Sequence, residues 1–111
     1  MITGPFRGSD ALRSGLLSPG ALRGPRFRRL FPDVYVPAAL DVTFAVRSRA
    51  AFLLVERRGG MLAGYSAAAV HGASCEPTGA PAEVLVAVHM KPRPDLLVHQ
   101  GVASETAAAA C

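Results

Sequence analysis

Glycine and proline cut this chain into short pieces, and their positions limit the architectures open to it. Gly15, Gly24-Pro25, Pro37, Gly59-Gly60 and Gly72 each stop a regular element. Proline lacks the backbone donor that helices and ladders need, and glycine favours left-handed turns. Only "DVTFAVRSRAAFLLVERR", from Asp41 to Arg58, runs long enough for a helix of several turns. Everything else must be a one- or two-turn helix or a short strand. At 111 residues the chain suits one compact domain, burying roughly two-thirds of its unfolded surface without a metal or disulfide staple.

Ser9 is a natural N-cap for "SDALRSGL", with Asp10 in the first turn where the helix dipole favours an anion. Ser18-Pro19 repeats the signal for "SPGALRG", a capping serine followed by proline at the first helical position. Then comes "RFRRLFPDVYVPA". Here Arg26–Leu30 and Val34–Val36 read as strands, and Phe31-Pro32-Asp33 as the corner between them. Helix, turn, helix and basic hairpin follow one another in the order of a small winged-helix module, the hairpin being the wing.

In the second half, Asp41 is the expected cap of the long helix. Its buried face draws on Phe44, Val55 and the Ala51–Leu54 cluster, while Arg47, Ser48 and Glu56 face solvent. Ser66 is the expected cap of "SAAAVHG". Ala82–Val88 and Leu96–His99 are expected to form a second hairpin around "MKPRPD". The predicted fold is therefore α+β, with an N-terminal winged-helix-like module packed on a small helix-plus-hairpin layer. Residues 1–39 form the head, 40–102 the small α/β layer, and 103–111 a disordered tail.

The charge is lopsided. Residues 1–40 carry six arginines (Arg7, Arg13, Arg23, Arg26, Arg28 and Arg29) against Asp10 and Asp33, whereas residues 41–111 balance. The whole excess of +4 lies in the first third, as expected where one part meets a polyanion. Arg26, Arg28 and Arg29 on the hairpin, with Arg23 at the preceding helix end, are the candidate DNA-binding residues. Their guanidinium groups would donate to phosphate oxygens, contacts that position a protein without reading sequence. This reading requires the positive side chains to gather on a single side of the head. The alternative is a charged edge strand that discourages pairing between sheets. For base reading, Ser18, Gly20 and Ala21 offer little, and Arg23 alone has the fork that addresses guanine.

The segment "FRGSDALRSGLLSPGALRGPRFRRLFPDVYVP", with the later "GYSAAAVHG" and its following strand pair, resembles actinobacterial proteins related to the AbiEi-type antitoxins. Many of those carry a C-terminal Vsr-like endonuclease domain. The resemblance spans residues 6–102 and implies a winged-helix-like DNA-binding head of the kind that represses its own operon. It also implies a cognate toxin as a partner. A nuclease centre of that family's type needs a metal-holding acid and a carboxylate-x-lysine strand. The lone lysine is Lys91, and His89 sits two residues before it. The chain thus reads as a member shortened before the nuclease domain.

Other chemistry is poorly represented. His71 and Cys75 lack the second ligand pair of a zinc site, and "GYSAA" has Ala68 where a nucleophile elbow needs glycine. No catalytic residue, metal or cofactor is expected. Cys75 and Cys111 read as free thiols in a reducing cytoplasm, and no apolar run reaches the roughly 20 residues of a membrane span. The functional expectation is a non-enzymatic, cytoplasmic, DNA-binding antitoxin-like regulator of weak sequence specificity, with a homodimer as the way to pair half-sites. A protein-interaction module, or a nonfunctional remnant of a longer endonuclease-domain protein, is the alternative. Its mark would be an exposed apolar face on the long helix.

Overall fold

The structure is a computed structural model; it describes residues 2–73, 76–87, 90–91 and 93–101. Among these are four α-helices and two three-stranded sheets in a mixed α/β arrangement. Strand β1 (Phe6–Arg7) leads into α1 (Gly8–Arg13) and α2 (Pro19–Arg23). The hairpin of β2 (Phe27–Phe31) and β3 (Val34–Pro37) follows. After α3 (Phe44–Val55) come β4 (Met61–Leu62), α4 (Gly64–Val70), β5 (Ala82–Val86) and β6 (Leu96–Gln100). The tail and the cysteines at 75 and 111 lie outside the described residues, as does His89.

The first sheet has the order β1-β3-β2, all antiparallel, so β2 is an edge strand. Residues directly opposite in an antiparallel pair project to the same face, and this sorts the sheet into two sides. On one side Tyr35 stacks on Phe6 (6.1 Å), which meets Phe27 edge-on (5.4 Å). Helices α1 and α2 cover that side so closely that a Cβ on Gly8 would lie 2.7 Å from the Tyr35 ring and 2.9 Å from Leu22. On the other side Val34 and Val36 are buried.

Helix α3 packs against both sheets. Phe31 and Val34 from the first sheet join Ala50, Ala51 and Val55 of α3 and Ala82, Val84, Val86 and Leu96 of the second in one buried apolar cluster. Alanines at 50 and 51 permit the close approach, and Phe31 supplies the bulk. The second sheet has the order β4-β5-β6.

Several expectations are corrected. β5 and β6 are not a hairpin but a parallel pair, with Ala82 opposite Leu96 and Val86 opposite Gln100. Apolar alternation is the same for either direction, so the pattern alone does not distinguish them. Thr43, not Asp41, caps α3: its hydroxyl accepts from the Val46 N–H (3.2 Å). The Thr43 N–H donates to the Asp41 carbonyl (3.1 Å), a tight turn that delays the helix start. Ser48 is fully buried rather than solvated, because its hydroxyl donates to Ser66 (2.7 Å). Ser66 in turn lies inside α4, not at its cap.

Two caps come from far along the chain. Glu83 accepts from the Tyr65 N–H (2.8 Å) at the start of α4. Gly64 has φ +53°, and a Cβ there would strike the Glu83 carboxylate. Asp33, at the hairpin corner, accepts from the Ser9 N–H (2.8 Å) and hydroxyl (2.5 Å), while its carbonyl accepts from Gly8 N–H (2.9 Å). Asp33, and not Ser9, thus caps α1. The corner of the hairpin is tied down on a helix N-terminus, where a carboxylate is favoured. Asp33→Ala is expected to cost about 1–2 kcal/mol, because the cap is lost and alanine tolerates φ +60° poorly. Asp33→Asn should recover part of this, both measured by urea unfolding.

Candidate nucleic-acid interface

The six arginines of the first forty residues divide into two groups once their surroundings are known. Arg7 sits on β1 opposite Val34, facing α3. Its side chain is only 13% exposed. Its Nε and Nη2 donate to the Leu53 carbonyl (3.1 and 2.8 Å), and Nη2 also reaches Glu56 (3.1 Å). A cation at the last turn of α3 is well placed against the helix dipole. Arg13 pairs with Asp10 (3.3 Å). Arg7 is thus anchored to the fold, while Arg13 makes an exposed pair.

Asp10 is a hub, since Arg57 from beyond α3 also donates to it at 2.6 Å and Arg7 lies 3.7 Å away. The hydrogen bond and charge of Arg57, then the charges of Arg13 and Arg7, hold its carboxyl below the usual carboxylate range. The stabilisation from this cluster is present above the ordinary carboxylate pKa and is lost as pH falls through the depressed value. Because Asp10 is exposed to solvent, screening keeps the effect small.

Arg23, Arg26, Arg28 and Arg29 form the other group. All four are exposed, and among the described residues none pairs with a carboxylate. Arg23 ends α2, and its helix is started by Ser18, whose hydroxyl accepts from the Ala21 N–H (3.1 Å). The Ser18 side chain is thereby occupied. Arg26 lies 5.8 Å from the Phe27 ring centroid, a cation–π distance that steadies the guanidinium. Its carbonyl accepts from the Ala38 N–H (2.8 Å), closing the open end of the hairpin.

The register contradicts the single-sided expectation. Arg28 stands opposite Val36 and Arg29 opposite Tyr35, so the two side chains leave opposite faces of the sheet. They do not share a face; they straddle the edge strand. The four arginines form a basic rim along the exposed edge of β2 and its junction with α2. Arg26 lies at the open end of the hairpin, and Arg28 and Arg29 lie along the body of β2.

Beside this rim is an open apolar groove of about 630 Å³ lined by Ile2, Leu16, Leu17, Phe27 and Pro37, with Arg26 on its border. Leu16 is 60% exposed there. On α3, by contrast, Phe52 is the one large apolar side chain counted as exposed, so the long helix does not present an open apolar face. His71 is exposed at the end of α4. Among the described residues no three His, Cys, Asp or Glu side chains gather as metal ligands, and no helix is long and apolar enough to cross a membrane. Ser66 is buried, and its hydroxyl accepts from Ser48 and from the Glu83 N–H (2.8 Å). Comparisons with protein-family models, curated proteins and solved structures return no match.

Proposed function

We propose that the chain is a DNA-binding regulator of the antitoxin type, gripping the phosphate backbone through Arg23, Arg26, Arg28 and Arg29. The observation that carries this reading is the division of the arginines. Those that face inward or toward Asp10 are paired with carboxylates, while the four at the α2–β2 edge are exposed and unpaired. The order of elements supports it too. A strand, two helices and a hairpin, with sheet order β1-β3-β2, are elements that a winged-helix reading calls for. The five-residue α2 presents one side chain able to read a base, Arg23, so sequence preference is weak in the monomer. Paired half-sites bound by a homodimer would raise it. A cognate toxin belongs to the same reading.

A protein-interaction module is the second reading, favoured by the apolar groove around Leu16 and Phe27. The two separate in a mobility-shift titration across a salt series. DNA binding predicts retardation at low salt that fades steeply as salt rises. Arg28→Gln with Arg29→Gln should flatten the log–log slope by about 2. A wild-type chain that leaves duplex DNA unshifted at low salt contradicts the first reading.

A further inference from the structure

A second set of cations lies at the other end of the hairpin. The corner residue Pro32, Leu54 at the end of α3, Arg58 in the turn that follows it, and Met90, Lys91, Arg93 and Pro94 line an open groove of about 560 Å³. That size falls within the roughly 300–1,000 Å³ of small-ligand sites. Among the described residues lining it there are three cationic side chains and no carboxylate. Arg58 and Lys91 are exposed, and neither pairs with a carboxylate among the described residues.

Arg93 is held in place before any ligand arrives. Its Nε donates to Asp95 (3.3 Å), and its guanidinium lies 5.8 Å from the centroid of the buried Phe31 ring. Residue 93 also bridges to Leu96 at the head of β6. Asp95 offsets one of the three charges, leaving a net excess of two, which suits a phosphate monoester near neutral pH. The remaining walls, Pro32, Leu54, Met90 and Pro94, are apolar and suited to a flat, weakly polar ring.

We propose that this groove binds a small phosphate-bearing ligand of mononucleotide size, its phosphate held by Arg58, Lys91 and Arg93. Arginine supplies a planar fork and lysine a mobile point charge to the same group. None of these residues belongs to the basic rim, so the site stands whether or not the rim binds DNA.

The test is calorimetric titration of the full chain at low salt with adenosine 5′-monophosphate, inorganic phosphate and adenosine as separate probes. The nucleotide should bind saturably at one site and about tenfold more tightly than either part. Arg58→Gln and Lys91→Gln should each weaken it by about fivefold to tenfold, while duplex retardation stays within about twofold of wild type. Both side chains are exposed, so circular dichroism should report an unchanged fold. Equal affinity for inorganic phosphate, unaltered nucleotide binding by both variants, or no saturable binding would each overturn the proposal.

Discussion

Phe31→Ala is expected to remove about 3–5 kcal/mol of stability, a large part of the 5–15 kcal/mol typical of a domain this size. Phe31 is 1% exposed and is the one aromatic ring in the buried cluster. Its neighbours there are mainly alanine and valine, including Ala50, Ala51, Val55 and Val84. Short branched and methyl side chains on a helix and two sheets have little reach with which to refill the space. The loss therefore includes the transfer of the ring and the cavity it leaves. The same substitution removes the surface beneath the Arg93 guanidinium. Phe31→Leu, which keeps most of the volume, should cost about 1–1.5 kcal/mol. Urea denaturation followed by circular dichroism measures both. A midpoint for Phe31→Ala close to wild type would show that the two sheets do not share a core through this ring.

Ser66→Ala is expected to cost about 2–3 kcal/mol, because two buried donors lose their acceptor together. The Ser66 hydroxyl accepts from Ser48 (2.7 Å) and from the backbone N–H of Glu83 (2.8 Å). Those contacts join α3, α4 and β5 at one point. Ser48→Ala removes a single donor and leaves the Glu83 N–H satisfied, so its cost should be nearer 1 kcal/mol. The double variant should fall short of the sum, as expected for groups in one network. Additive costs across the cycle would contradict the shared hydrogen bond.

Much of the fold is legible where the causes are local. Ser18-Pro19 starts α2 as its spacing predicts, and the Pro32-Asp33 corner separates β2 from β3. Gly59 closes the turn after α3 with φ +74°. What escapes the sequence is held by distant partners. Strands β1 and β4 are two residues each, and only their pairing with β3 and β5 makes them strands. Asp33 and Glu83 cap helices from 24 and 18 residues along the chain, so the serines that seem to start α1 and α4 serve otherwise. The parallel sense of β5 and β6 is not encoded by apolar alternation, which reads the same in either direction.

The same logic governs the rim. The excess of arginine in the first third is plain from the sequence, and Arg23, Arg26, Arg28 and Arg29 stand out by their spacing. That Arg7 and Arg13 are paired depends on Glu56 and Asp10 meeting them in space. That Arg28 and Arg29 straddle an edge depends on the sheet order. A charged edge also protects β2 from pairing with other sheets, and protection and polyanion binding are compatible uses of one strand.

The proposed DNA binding turns on whether four guanidinium groups left without carboxylate partners meet phosphate along one edge. The slope of log affinity against log salt on a short duplex, measured for single glutamine replacements, addresses this most directly. Replacing Arg23, Arg26, Arg28 or Arg29 should each lower the slope by about 0.9, while Arg13→Gln and Arg57→Gln, whose charges are already engaged with Asp10, should leave it unchanged. Equal effects in both groups, or a slope that no replacement alters, would contradict the account.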